Sequence, residues 1–148
     1  MPGLEDLYRE IILDHYKSPR NRGELATPPA VSAQGHNPLC GDEITVYVQL
    51  DGDTVSDIKV GGSGCSISQS SASMMSQAVK GKSVDDVKAI VRRFKGMMSI
   101  DTEDDSPLPD VKLGDLEALQ GVVKFPVRIK CATLAWNTLT EALTEAGR

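Results

Sequence analysis

The sequence predicts an α+β fold: a small antiparallel sheet with helices packed on one of its faces. Three observations carry it. Ile44, Val46, Val48 and Leu50 alternate with Glu43, Thr45, Tyr47 and Gln49, the period of a half-buried strand. Asp51-Gly52-Asp53 is a turn signal, and Val55 to Val60 supplies a return strand. The segments before and after this hairpin repeat apolar residues at steps of three and four, the period of amphipathic helices. Strands followed by runs of helix point to helices gathered on one side of an antiparallel sheet. No repeat or composition break divides the chain, so residues 1–148 are expected to form one domain.

The elements follow in order. Leu4, Leu7, Tyr8, Ile11, Ile12 and Tyr16 define a first helix that stops before Pro19. Its His15 reads as a surface or boundary residue. Residues 18–29 hold three prolines and a glycine and read as a loop. A short strand is expected at 30–34, ahead of the hairpin. Gly61, Gly62 and Gly64 are expected to end the return strand. A helix over about 66–80 carries Ile67, Met74, Met75, Ala78 and Val79 on one face. Ser83 with Asp86 three residues on is a capping box for the next helix, whose apolar positions are Val84, Val87, Ile90, Val91 and Phe94. Residues 96–111, with the run DTEDDSPLPD, read as a solvated acidic loop, followed by a short helix near 115–120. The last helix opens near Pro126, buries Ala132, Ala135, Trp136, Leu139 and Leu143, and ends at Gly147.

Composition narrows the function. The 148-residue chain is 40% hydrophobic and 25% charged, ordinary for a soluble globular protein, with only 4% aromatic residues. No apolar run approaches a membrane span, and the acidic N-terminal stretch MPGLEDLYRE lacks the apolar core of a signal peptide. A cytoplasmic protein is expected. A net charge of −5 argues against nucleic acid as partner, because phosphate neutralisation needs a basic face. The three cysteines are an odd number in a chain expected to stay in a reducing compartment, so a disulfide framework is not expected.

Each cysteine stands at an edge of regular structure. Cys40 lies in the turn before the long strand, one glycine from Asp42. Cys65 lies between a glycine-rich turn and a helix start, and Cys131 falls in the first turns of the last helix. A helix N-terminus favours thiolate, the form that attacks sulfur and binds metal. Three thiols and one carboxylate make the right ligand number for four-coordinate Zn²⁺. The spacing has no CxxC pair, so two plainer readings stand beside this one: three buried small hydrophobes, and an Asp42 that only satisfies turn amides. His36, four residues before Cys40, reads as a polar loop histidine. Gly81-Lys82-Ser83 is the tail of a phosphate-loop pattern without its first glycine and after a helix, so it reads as a helix end and a new N-cap. GGSGCS lacks dinucleotide-fingerprint spacing. Neither histidine has an evident serine nucleophile, and the serine-rich run 68–73 reads as small residues for close helix packing.

Taken together, Asn37-Pro38-Leu39-Cys40-Gly41-Asp42, Gly64-Cys65-Ser66-Ile67-Ser68, Lys80-Gly81-Lys82-Ser83 and Arg128-Ile129-Lys130-Cys131 resemble the U-type iron–sulfur cluster assembly proteins. These are the IscU/NifU N-terminal-like family that holds IscU scaffolds and SufU sulfur acceptors. The resemblance runs over nearly the whole chain. It implies a three-stranded antiparallel sheet with helices on one side, of the SufE/NifU/IscU-like kind, and a site of Cys40, Asp42, Cys65 and Cys131.

Departures from the scaffold pattern select the branch. Scaffolds carry a histidine before the third cysteine, where this chain has Lys130. They carry Leu-Pro-Pro-Val-Lys for a chaperone, where this chain reads Lys124-Phe125-Pro126-Val127-Arg128, and this chain has an insertion within 96–124. All three features resemble SufU. The resemblance then implies a zinc-dependent sulfurtransferase that takes persulfide sulfur from a pyridoxal-phosphate cysteine desulfurase of the SufS type. A histidine of that partner would replace Cys40 on zinc, and the freed Cys40 would carry the sulfur on towards other Suf cluster-assembly proteins. Arg128, one turn before Cys131, is expected either to steady the acidic site or to pair with Asp42 when the site rearranges. The alternatives are a scaffold that builds a [2Fe–2S] cluster on the same ligands, and a structural zinc module without transfer. No membrane partner is expected.

Overall fold

The computed structural model describes residues 2–27, 29–38, 41–98 and 113–148. Helix α1 (Pro2–Lys17) leads through an irregular segment to three strands, β1 (Val31–Asn37), β2 (Asp42–Asp51) and β3 (Thr54–Ser63). Helices α2 (Ser66–Val79) and α3 (Val84–Met97) follow, then a 3-10 helix (Gly114–Lys124) and the long α4 (Pro126–Glu145). The sheet is antiparallel in the order β1-β2-β3. The expected α+β class and three-stranded sheet are what the chain forms. Among the described residues, no helix is long and apolar enough to cross a membrane.

Strand parity builds the core. In β2, Ile44, Val46 and Val48 are buried and their neighbours are less so. Register places Gly35, Ala33 and Val31 of β1 opposite them, and Val60 and Ile58 of β3 opposite Val46 and Val48. Helix α4 lies on β1 and β2, and α2 lies between α4 and α1. At Gly35 an added Cβ would overlap the Thr138 hydroxyl of α4, so glycine is what lets helix and sheet approach. Trp136 of α4 stacks on Phe94 of α3, with ring centroids 4.3 Å apart, and donates Nε1–H to Ser71 Oγ at 3.0 Å.

The expected helix signals hold. Ser83 Oγ accepts Asp86 N–H at 3.2 Å and starts α3. Pro126 stands in the first turn of α4, and Gly147 (φ +79°) follows its end. Gly81, with φ +82°, closes α2 just before the Ser83 cap, which is the reading given to the failed phosphate-loop pattern.

Six expectations change. The first strand is longer than 30–34, because pairing with β2 carries it to Asn37. Gly61 and Gly62 do not end β3, which continues to Ser63. At Gly62 an added Cβ would overlap the Glu43 carbonyl oxygen, so here glycine permits pairing instead of stopping it. The short helix near 115–120 is a 3-10 helix of 11 residues. His15 is fully buried, not at the surface. His36 belongs to β1 and is exposed, not in a loop. The helix read as ending before Gly96 runs to Met97, and the acidic run at 101–110 lies outside the described residues.

The serine-rich run packs closely, as expected, and is also bonded throughout. Ser70 Oγ donates to Ile12 O of α1, and Ser71 Oγ donates to Ala132 O of α4. Buried hydroxyls without partners would destabilise the fold, and these instead tie α2 to α1 and α4.

Candidate metal centre

The site lies where the start of β2, the end of β3 and the start of α4 meet. Asp42 is the first residue of β2, on the same parity as Ile44, Val46 and Val48, so its carboxylate points to the helix side. It is fully buried (0% exposed). Register sets Asn37 opposite Asp42 and Ser63 opposite Glu43. The chain leaving β3 therefore delivers Gly64 and Cys65 beside Asp42.

Asp42 Oδ1 accepts the Cys65 N–H at 2.8 Å, and Oδ2 lies 3.9 Å from Cys65 Sγ. Gly64 makes this approach possible. A Cβ there would stand 2.6 Å from Ser68 Oγ and 2.9 Å from Asp42 Cγ. Cys65 is the N-cap of α2, and its side chain makes no capping bond to the helix. Its sulfur is half-buried and stands at the positive end of the helix. Ser68 Oγ donates to Cys65 O at 3.1 Å and lies 3.9 Å from Cys65 Sγ.

Cys131 lies in the second turn of α4 and is fully buried. The Asn37 amide Nδ2 donates towards its sulfur across 3.8 Å. One donor atom each from Asp42, Cys65 and Cys131 lies within 4.8 Å of the other two. The structure thus brings together three of the four expected site residues. Cys40, expected both as ligand and as sulfur carrier, lies outside the described residues. Its neighbour Gly41 has φ +68°, and nothing stands within 4 Å of an added Cβ, so glycine serves there for backbone conformation alone.

The donor set fits a tetrahedral ion. Zn–S bonds of about 2.3 Å and Zn–O bonds of about 2.0–2.2 Å give tetrahedron edges of roughly 3.5–3.8 Å. The 3.9 Å between Cys65 Sγ and Asp42 Oδ2 is close to such an edge. A buried carboxylate beside two thiols is also a costly arrangement unless a cation offsets it. Unrelated burial of Cys65 and Cys131, or an Asp42 that serves only its turn, would not explain this convergence.

The residue that sequence reasoning passed over is Asn37, which lies within a quoted motif and has no role there, whereas Gly64 was read as a strand end and Ser68 as a small packing residue. The signal for Asn37 was parity with Gly35 on β1. Lys130, in the position of the scaffold histidine, is exposed. Arg128 is exposed and lines a cleft of about 820 Å³ that opens beside Cys65, between α1, α2, the 3-10 helix and α4. Arg9 and Lys124 also line it, with apolar Leu13 and Phe125, and among the described residues no carboxylate does. Leu13 and Phe125 are 37% and 62% exposed. A second cleft of about 610 Å³, between α2, α3 and the start of the 3-10 helix, has no thiol in its wall among the described residues.

Residues 7–132 match the family described as NifU-like N terminal domain. The chain is 50% identical over 142 residues to the zinc-dependent sulfurtransferase SufU of Bacillus subtilis, covering 96% of this chain and 92% of that one. It is 44% identical to the iron–sulfur cluster assembly scaffold protein IscU of Streptococcus pyogenes, over 95% of this chain and 84% of that one. Among solved structures it is similar to FiSufU, a SUF-system protein of Fervidobacterium islandicum, with a TM-score of 0.80 and 32% identity over 90% of this chain and 94% of that one. Sequence, fold and the clustered cysteine and aspartate donors agree: the chain belongs to the NifU-like N-terminal domain family, alongside the SufU and IscU proteins.

Proposed function

We propose that the chain is a zinc-dependent sulfur acceptor, taking persulfide sulfur from a SufS-type cysteine desulfurase for iron–sulfur cluster assembly. The observation that carries this reading is the convergence of Asp42, Cys65 and Cys131 donors within 4.8 Å. The 50% identity to a protein named as a zinc-dependent sulfurtransferase supports it. Cys40, Asp42, Cys65 and Cys131 would hold the ion. Bound there, Zn²⁺ would keep the thiols deprotonated and shield them from oxidation.

The chain's own residues then divide the work. Asp42 is held rigidly by the Cys65 N–H and by its place in β2, and Cys131 is held by α4 and Asn37. Cys40 is followed by Gly41, a glycine at positive φ. As thiolate it attacks the outer sulfur of the desulfurase persulfide. A new S–S bond forms at Cys40, the partner's S–S bond breaks, and the partner cysteine leaves as thiolate. The cationic and apolar cleft beside Cys65 suits a partner surface that is acidic around an apolar contact. Arg128, on its wall, is placed to steady that approach.

The IscU-like reading, a [2Fe–2S] cluster built on the same ligands, draws on the 44% identity to an IscU protein. Lys130 weighs against it, because an ammonium cannot ligate where scaffolds have imidazole. The test is desulfurase turnover with the parent protein, with Cys40→Ser and with metal-stripped protein, zinc content being measured in each. Strong stimulation by the zinc-loaded parent alone supports the sulfur-acceptor reading. Stoichiometric iron with a visible charge-transfer band, and no zinc, supports the scaffold.

A further inference from the structure

His15, near the end of α1, is a buried ionisable side chain away from the thiols. It is completely buried, yet both ring nitrogens are engaged. Nδ1 lies 2.7 Å from Ser73 Oγ of α2, and Nε2 lies 3.0 Å from Asp115 Oδ2 in the first turn of the 3-10 helix. In the neutral ring, Nε2–H donates to Asp115 and Nδ1 accepts the Ser73 hydroxyl, whose oxygen accepts the Arg20 N–H at 2.8 Å. The order Ser, His, Asp has the look of a hydrolytic triad. It is not one, because Ser73 is 1% exposed and no substrate reaches it.

The bonds tie three elements and one loop at a single ring. The element that gains most is the 3-10 helix. Such helices have poor hydrogen-bond geometry and rarely exceed four residues, and this one runs for 11. Its own main chain holds it weakly, so its place depends on its buried Leu116, Ala118, Leu119 and Val122 and on the Asp115 tie. Apolar burial is non-directional and tolerates sliding, whereas a hydrogen bond to a fixed imidazole sets register. The second half of the same helix, through Ala118, Gly121, Val122 and Lys124, forms the wall of the cleft that faces Cys65.

We propose that His15 is a positioning residue: through Asp115 and Ser73 it fixes the register of the 3-10 helix, and with it the wall of the cleft beside Cys65 on which a partner docks. The docking half rests on the sulfur-acceptor reading, and the register half does not.

The test uses Asp115→Ala, Asp115→Asn and His15→Gln in the full chain. His15→Gln risks the fold because the site is sealed, but Asp115 is 51% exposed and its substitution does not. In Asp115→Ala, amide exchange over residues 116–122 should speed about tenfold, the loss of one charge-assisted bond, while 132–143 of α4 stays unchanged. The concentration of this protein that half-saturates desulfurase turnover should rise about three- to tenfold, with maximal turnover within twofold. Asp115→Asn keeps an acceptor oxygen and should restore both. Unchanged exchange over 116–122 overturns the proposal. So does faster exchange throughout the chain, or faster exchange over 116–122 with unchanged half-saturation. If the parent itself leaves desulfurase turnover unchanged, the sulfur-acceptor reading fails, and the exchange measurement still decides whether His15 sets the helix.

Discussion

Gly64→Ala is the sharpest probe of the metal centre, because it adds one methyl and no charge. That methyl would meet Ser68 Oγ at 2.6 Å and Asp42 Cγ at 2.9 Å. Neither can yield freely. Ser68 is bonded to Cys65 O, and Asp42 is fully buried at the start of β2. The carboxylate must turn away, which breaks the 2.8 Å bond from Cys65 N–H. Losing a buried bond to a charged group costs about 1–3 kcal/mol, and overpacking costs a further 1–3 kcal/mol. At about 2–4 °C per kcal/mol for a domain of this size, a combined loss of about 2–6 kcal/mol lowers the melting temperature by roughly 4–24 °C. Displacing Asp42 should also weaken zinc binding at least tenfold, measured by competition with a chromophoric chelator. Gly121→Ala is the control, since nothing stands within 4 Å of its added Cβ. It should melt within about 2 °C of the parent and hold zinc equally well. If Gly64→Ala binds zinc within twofold of the parent and melts with it, Asp42 is not held where the metal centre requires.

Further expectations follow from single contacts. Asn37→Ala removes the donor to Cys131 Sγ and should lower zinc affinity about 10- to 100-fold, the usual effect of losing a group that orients a ligand, read by the same competition. Trp136→Phe deletes the Nε1–H to Ser71 and part of the stack on Phe94, and should cost about 1–3 kcal/mol in urea unfolding. Ser83→Ala removes the cap of α3 and should cost about 1 kcal/mol by the same measurement. The Asp14 carboxyl is held below its ordinary value of 3.8, chiefly by its hydrogen bond from Arg20. A depressed folded value contributes stability above pH 3.8 that fades as the pH falls below it. The NMR titration midpoint of Asp14 should therefore lie under 3.8 and move up towards it in Arg20→Ala.

Much of this architecture was legible in the sequence, where the signal was local. The alternation of Ile44, Val46 and Val48 gave β2, and the Ser83–Asp86 pair gave the start of α3. Pro126 and Gly147 bracketed α4. The misreadings came where tertiary contact overrides local preference. Gly61 and Gly62 carry a strand-ending propensity, but β2 passes too close for any side chain at Gly62. His15 reads as a surface or boundary residue, although it stands four residues after Ile11 and so continues the apolar stripe of α1. Its burial depends on partners 58 and 100 residues away. Tyr16, counted in that stripe, is 45% exposed. For the candidate site, spacing alone left three cysteines and an aspartate ambiguous, because their proximity is created by sheet register and helix packing. The motif resemblance supplied the grouping, and the fold brings Asp42, Cys65 and Cys131 together.

The central claim, that Cys40 accepts sulfur, is tested most directly by mass spectrometry of the zinc-loaded protein after incubation with a SufS-type desulfurase and cysteine. The account predicts the added mass of one sulfur atom on the peptide containing Cys40, absent in Cys40→Ser, with the Cys65 and Cys131 peptides unmodified. No added sulfur on any cysteine, or sulfur on Cys65 or Cys131 with Cys40 untouched, would contradict it.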